Sequence, residues 1–359
     1  MTNVFIRLLP LRLENLEMKN YPIAAFCLLL VVAVVFGVCS SSSSRNVEEF
    51  SRCVVECPHD SILPHFHWIT TPPVPEEVEF AGEPLPLDFF DVRESLEREL
   101  IVNMNFHSST LQNLKKITRH FPVIEPILAK NGIPDDFKYL ALIESDLTNV
   151  VSPSGATGFW QFMKSAAADY KLEVNAEIDE RYHLEKSTEA ACRYLNDAYR
   201  IFGSWTMAAA SYNMGKVGLS NQVKRQQCNY YYDLLLSDQT MRYIYRIAAM
   251  KLILNDPQKY GFYVPEEERY RAIPFAEIEV KTAVADWADF AFKHHSNYKM
   301  LKYLNPWLRD IKLTNTARKT YIVKLPATGF RGDAQHRIDV KEAKKIEEES
   351  KNSQSADVK

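Results

Sequence analysis

The spacing of apolar positions divides the chain into distinct textures. No charged residue occurs between Asn20 and Ser44, and residues 21–39 are almost wholly apolar. Lys19 precedes this run, and the serine tract 40–44, ending at Arg45, follows it. From about Asp91 to Tyr260 apolar residues return at helical intervals, first as Leu96, Leu100 and Met104, then as Leu111, Leu114 and Ile117. Pro122 predicts the start of a short helix that Gly132 ends, and Pro134-Asp135-Asp136 the start of another running to about Ser145. Ser187 is expected to cap a helix with Ala191, Tyr194, Leu195, Ala198 and Phe202 on its apolar face, stopped by Gly203. Residues 205–213 and 240–254 complete the set, and no useful strand alternation interrupts it. After Pro265 the texture changes. Residues 276–280 and 321–325 read as strands, with helical patterns over 287–292 and 298–304 between them, giving a compact βααβ unit.

Composition adds a compartment and a tether. The leader order, a cation, then an apolar run, then a serine tract, is that of a secretory signal or a single membrane anchor. Cys39 closes the apolar run as a lipidated cysteine would, although Val38 stands where a small residue is expected. Residues 58–86 hold seven prolines and many acids, which predicts an extended tether. The expected organisation is therefore an anchor segment (1–45), an acidic Pro-rich tether (46–90), an all-helical domain (91–262), an α+β module (275–327) and a charged flexible tail (331–359).

The formal net charge of −3 over 359 residues offers no basic footprint, so nucleic acid is excluded as a partner. Nearly all the imbalance sits in residues 46–100, which carry −10. The six cysteines form no CxxC pair and have no His-rich partner set, so neither a metal nor a cofactor is expected.

Chemistry concentrates around one helix end. On the helix expected over 135–144, Glu144 projects within about 60° of Phe137, Leu140 and Ala141, at the carboxyl end. Low dielectric and the negative end of the helix dipole both disfavour the charged carboxylate. A carboxyl kept protonated near neutral pH is what protonating a leaving oxygen requires. The plain alternative is a helix-end glutamate without chemistry. The loop that follows, residues 152–163, has two glycines and leads into an aromatic and amide cluster. Phe159 and Trp160 could stack on sugar faces, while Phe159, Phe162 and Met163 could simply be core. Gln161 could bond an acetamido or hydroxyl group. Tyr212 and Asn213 end a helix before Gly215, as an ordinary cap would.

These residues carry a resemblance. Glu144-Ser145, Ser152-Pro153-x-Gly155-Ala156-x-Gly158-x-x-Gln161-x-Met163 and Tyr212-Asn213-x-Gly215, in this order, resemble the motifs of bacterial lytic transglycosylases with the goose-lysozyme-like fold. The similarity is strongest to their membrane-bound type D members, extends through Asp179-Glu-Arg-Tyr, and covers roughly residues 90–262. It implies a mainly α, lysozyme-like catalytic domain acting on peptidoglycan glycan strands in the cell envelope. Glu144 would serve as general acid and then base, cutting the MurNAc-β-1,4-GlcNAc bond with 1,6-anhydro ring closure. Ser145, Ser152, Gly158, Gln161, Met163, Tyr212, Asn213 and Tyr243 would line the substrate cleft. One departure stands out: where many relatives have Glu-Thr, this chain has Gln239-Thr240, and an amide adds no negative charge. A lysozyme-like hydrolase, with a second carboxylate at Glu177, Asp179 or Glu180, and a non-catalytic peptidoglycan-binding scaffold remain alternatives. The C-terminal unit, with Leu301-Lys-Tyr-Leu-Asn305-Pro306, resembles a divergent LysM glycan-binding module, or serves as a cap without ligand.

Overall fold

Helix α9 (Tyr243–Asn255) is apolar nearly all round, with Ile244, Ile247, Ala248 and Ile253 inaccessible to solvent. A helix of that kind must be enclosed on every side. Three others enclose it: α1 (Phe90–Asn105), α3 (Phe137–Ser145) and α6 (Trp205–Met214). Around them lie α2 (His107–Lys130), α4 (Lys164–Asp169), α5 (Leu184–Phe202), α7 (Lys216–Gln226) and the single turn α8 (Asp238–Met241). The computed structural model describes residues 70–331. The expected leader, the first part of the expected tether and the tail from 332 onward lie outside the described residues.

The tether expectation is corrected from residue 70 onward. Strands β1 (Glu79–Phe80) and β2 (Glu83–Pro84) form a small hairpin on the helical domain. Phe80 is fully buried, its ring 5.1 Å from that of Phe137. Glu83 accepts from Trp205 N (2.7 Å), Thr206 N (2.9 Å) and Ser204 Oγ (2.8 Å), so it caps α6 from another part of the chain. Prolines and acids alone signal an extended segment; the one aromatic and one carboxylate that anchor this stretch are invisible to composition.

Two boundary expectations are also corrected. Helix α2 runs through Pro122 and Pro126. Each internal proline costs about 3 kcal/mol, while burial of Leu114, Phe121, Ile124 and Leu128 along the same helix contributes about 1.5–3 kcal/mol per side chain. Packing wins. Helix α5 begins at Leu184, so Ser187 is a buried interior residue whose hydroxyl donates to Leu184 O at 3.2 Å.

The C-terminal unit forms as its pattern suggests. Strands β3 (Phe275–Val280) and β4 (Tyr321–Pro326) pair antiparallel, from Phe275↔Pro326 to Val280↔Tyr321. Helices α10 (Trp287–Lys293) and α11 (Tyr298–Leu304) lie between them in sequence. Buried Asn305 joins helix to strand, its Nδ2 donating to Leu301 O (2.8 Å) and Lys324 O (2.6 Å) while Lys324 N donates to its Oδ1 (2.7 Å). The fold is thus mainly α, a lysozyme-like helical domain followed by a small LysM-like βααβ module. The two share a core: Ile178 and Tyr182 of the helical domain are buried with Trp287, Leu301, Trp307 and Val323 of the module. Asp179 N donates to Trp307 O (2.9 Å) and Arg309 N to Glu177 O (2.8 Å) across that junction.

Candidate active site

Helix α3 ends abruptly. Asp146 and Leu147 both take left-handed conformations, with φ of 49° each, which turns the chain away just after Glu144. The Glu144 side chain is partly exposed, yet enough protein surrounds its carboxyl that burial raises its pKa above the usual carboxylate value. A hydrogen bond from Tyr243 and the positive charge of Arg246 oppose that rise. Tyr243, at the start of α9, is buried and donates its hydroxyl to Glu144 Oε1. Arg246 lies one turn further along α9, where Nη2 donates to Ile143 O at 3.1 Å. Burial, reinforced by the neighbouring Glu144 charge, lifts the phenols of Tyr212 and Tyr243 well above their ordinary range. Both therefore keep their protons and act as donors.

The loop after α3 is held by its own polar groups. Ser145 is buried, and its hydroxyl donates to Phe159 O (2.9 Å), tying the helix end to the loop. Ser152 Oγ accepts from Ala156 N (3.0 Å). Gln161, with φ of 48°, donates from Nε2 to Gly158 O (2.8 Å) and Val150 O (3.1 Å). A Cβ on Gly158 would sit 2.0 Å from Arg181 O, and its φ is +83°, so only glycine fits there. Trp160, Phe159 and Phe162 are core, with Trp160 Nε1 donating to Thr188 Oγ1 at 2.8 Å. The sugar-stacking option is therefore corrected for Trp160, whose ring faces protein, while the largely buried Phe159 packs on His120 at the edge of a neighbouring cavity. Met163, in contrast, is 44% exposed. Tyr212 donates to Trp160 O (2.8 Å), and Asn213 Oδ1 accepts from Thr240 Oγ1 (2.8 Å).

The structure thus brings Glu144, Tyr212 and Tyr243 together electrostatically. Asn213, next to Tyr212 in the chain, is held by Thr240, and Ser145, Ser152, Gly158 and Gln161 shape the loop after α3. Sequence reasoning missed two residues. Arg246 is one of two cations, with Lys251, in an otherwise apolar helix, which is the signal that marks it. Arg181 pins the loop through Gly155 O and Phe162 O (3.2 Å each) while paired with Asp179 at 2.7 Å. Gln239 is exposed, and the buried Thr240 beside it makes the contact to Asn213.

The carboxylates weighed as second catalytic groups have other partners. Asp179 holds Arg181, Glu180 pairs with Lys186, and Glu177 accepts from Thr314 N (2.8 Å) in the C-terminal module. Asp146 accepts from Asn113 Nδ2 (2.8 Å).

Comparison with known proteins agrees with this layout. Residues 122–233, which include Glu144, match the model of the transglycosylase SLT domain. Residues 276–329 match the soluble lytic transglycosylase C-terminal LysM-like domain. The chain is 26% identical over 168 residues to membrane-bound lytic murein transglycosylase D of Escherichia coli (strain K12), covering 45% of this chain. The protein of the same name from Escherichia coli O6:H1 (strain CFT073) matches at the same identity and coverage. The chain spans 37% of the length of these curated relatives.

Proposed function

We propose that this chain, a member of the lytic transglycosylase family carrying an SLT domain followed by a LysM-like domain, cleaves the MurNAc-β-1,4-GlcNAc bond of peptidoglycan without consuming water. The observation that carries the reading is Glu144: a carboxyl whose pKa is raised by burial, oriented by the Tyr243 hydroxyl. Glu144 gives its proton to the glycosidic oxygen as the bond from muramyl C1 breaks. The acetamido oxygen of the same sugar takes up the positive charge developing at C1. The Glu144 carboxylate then accepts the proton of the muramyl C6 hydroxyl while that oxygen bonds to C1. A 1,6-anhydro ring closes and Glu144 is protonated again.

This route needs one protein carboxylate, and the structural pairing of Glu177, Asp179 and Glu180 supports it over a hydrolase with a second acid. Asn213, Gln161 and Met163 are proposed to contact the glycan. Ser145, Ser152 and Gly158 act by shaping the loop. The enzyme is proposed to work in the cell envelope, held to a membrane through its amino-terminal segment. Among the described residues no helix is long and apolar enough to cross a membrane.

Digestion of purified sacculi by the parent chain and by Glu144→Gln tests the reading. Loss of a general acid and base is expected to lower the rate by about 10²–10⁴-fold. Equal rates would remove Glu144 from the mechanism. Binding to sacculi without digestion by either protein would favour a scaffold.

A further inference from the structure

The site around Glu144 leaves unused a cavity of about 530 Å³ where the helical domain meets the C-terminal module. One wall comes from Lys116, Arg119 and His120 of α2 and from residues 147–149, which begin three positions after Glu144. The facing wall comes from the module and the segment leading to it, including Lys302, Tyr303 and Trp307. A concave, largely apolar site with a few convergent polar groups is the usual form of a ligand pocket.

Its charge is unbalanced. Four cations, Lys116, Arg119, Lys302 and Lys324, face it together with a single carboxylate, Glu185. Burial works against the Glu185 charge, but His183 and Lys324 hold its pKa down at about 2, so Lys324 is already neutralised. The other three cations have only neutral hydrogen-bond partners. Lys116 donates to Asp146 O (2.9 Å). Arg119 donates to Arg271 O (2.9 Å) and the Tyr303 hydroxyl (3.2 Å). Lys302 donates to Leu308 O and Asp310 O (2.6 Å each). Asp146 and Asp310 attract Lys116 and Lys302 through space without pairing. Among the described residues none of the three forms a salt bridge. His120 registers the excess: burial and then the charges of Arg119 and Lys116 push its pKa down to about 4, so it stays neutral.

We propose that this cavity binds the carboxylates of the stem peptide that branches from muramic acid, so that the C-terminal module helps read peptide as well as glycan. The proposal rests on the reading that peptidoglycan is the substrate. The peptide leaves the muramyl ring whose C1 bond is cut, and the cavity wall starts just beyond the helix that carries Glu144. Partly exposed Tyr270, Tyr303 and Phe275 offer apolar faces to short aliphatic side chains. A volume of this size suits a short peptide and is too small for a nucleic-acid duplex.

The test is calorimetric titration of the full chain carrying Glu144→Gln, which prevents turnover. The probes are GlcNAc-MurNAc-L-Ala-D-Glu and the same compound with both peptide carboxylates converted to amides. The acid is expected to bind about tenfold tighter, the gap narrowing at high salt. Adding Lys116→Gln and Arg119→Gln should bring the acid down to the amide's affinity, while Lys116→Arg alone keeps the gap. Equal affinities in the starting protein overturn the proposal even if the charge variants fail to fold. A gap that survives the double substitution also overturns it, as does equal displacement of both probes by a neutral chitooligosaccharide. Failure of the parent chain, with Glu144 intact, to digest sacculi while the acid–amide gap persists would count against the catalytic reading instead. Digestion by the parent chain without the gap counts against the pocket alone.

Discussion

At Glu144 three influences compete: burial raises its pKa, and the Tyr243 bond and Arg246 charge lower it. A general acid must start protonated, so activity falls as pH rises through that pKa. Tyr243→Phe removes a bond that favours the carboxylate. The alkaline limb of the kcat profile is therefore expected to move to higher pH, with a lower maximum because the carboxyl is less well oriented. A limb that stays or moves down contradicts the assignment.

The same shift bears on stability. A carboxyl whose folded pKa exceeds its unfolded one stabilises fully below the unfolded value and loses that contribution as pH rises through the folded one. Glu144→Gln should then melt at a higher temperature than the parent at neutral pH, with the gap closing near pH 4. Thermal scans across pH read this directly. Burial of Glu144 was legible because helix geometry puts it on the arc of Leu140 and Ala141. Arg246 was not, because its partner Ile143 O is close only after α3 and α9 pack.

Among elements, the hairpin over residues 79–84 illustrates what composition conceals. Glu83 bonds to the first turn of α6, and although burial opposes its charge, hydrogen bonds from Thr206, Ser204 and Trp205 lower its pKa. A depressed carboxyl stabilises above its unfolded pKa and loses that contribution as pH falls through the folded one. Glu83→Ala is expected to cost about 1–2 kcal/mol at neutral pH, a penalty that shrinks in acid. Urea unfolding at two pH values measures it, and a penalty that grew in acid would refute the cap. Gly158→Ala should cost more, roughly 2–4 kcal/mol, because its Cβ would meet backbone at Arg181. Most helices were legible from periodicity and capping residues. Helix α2 was misread because proline is a local signal and the burial of Phe121 and Ile124 is a tertiary one. Loop 152–163 was found as a motif, but its polar side chains were read as facing substrate when several bond the backbone instead.

For the whole molecule, the two modules are recognisable separately in sequence, but their shared core is not. Ile178 and Tyr182 look like isolated apolar residues in a polar stretch, and their burial against the module, with Ile178 bridged to Leu308, explains them. A chain ending at residue 272 should therefore lose thermal stability in the helical domain and bind a hydrophobic dye at that face. An unchanged melting temperature would show that the junction adds nothing. Residues 120–262 carry a net −1, which fits the proposed recognition of glycan through hydroxyls and acetamides. The unpaired cations sit instead at the junction with the module, whose segment 263–330 carries +3.

Ring closure without water through Glu144 is read out by mass spectrometry of the products of digested sacculi. Muropeptides ending in 1,6-anhydromuramic acid, absent with Glu144→Gln, are expected; reducing muramic acid ends, heavier by one water, would refute closure of the ring at the active site.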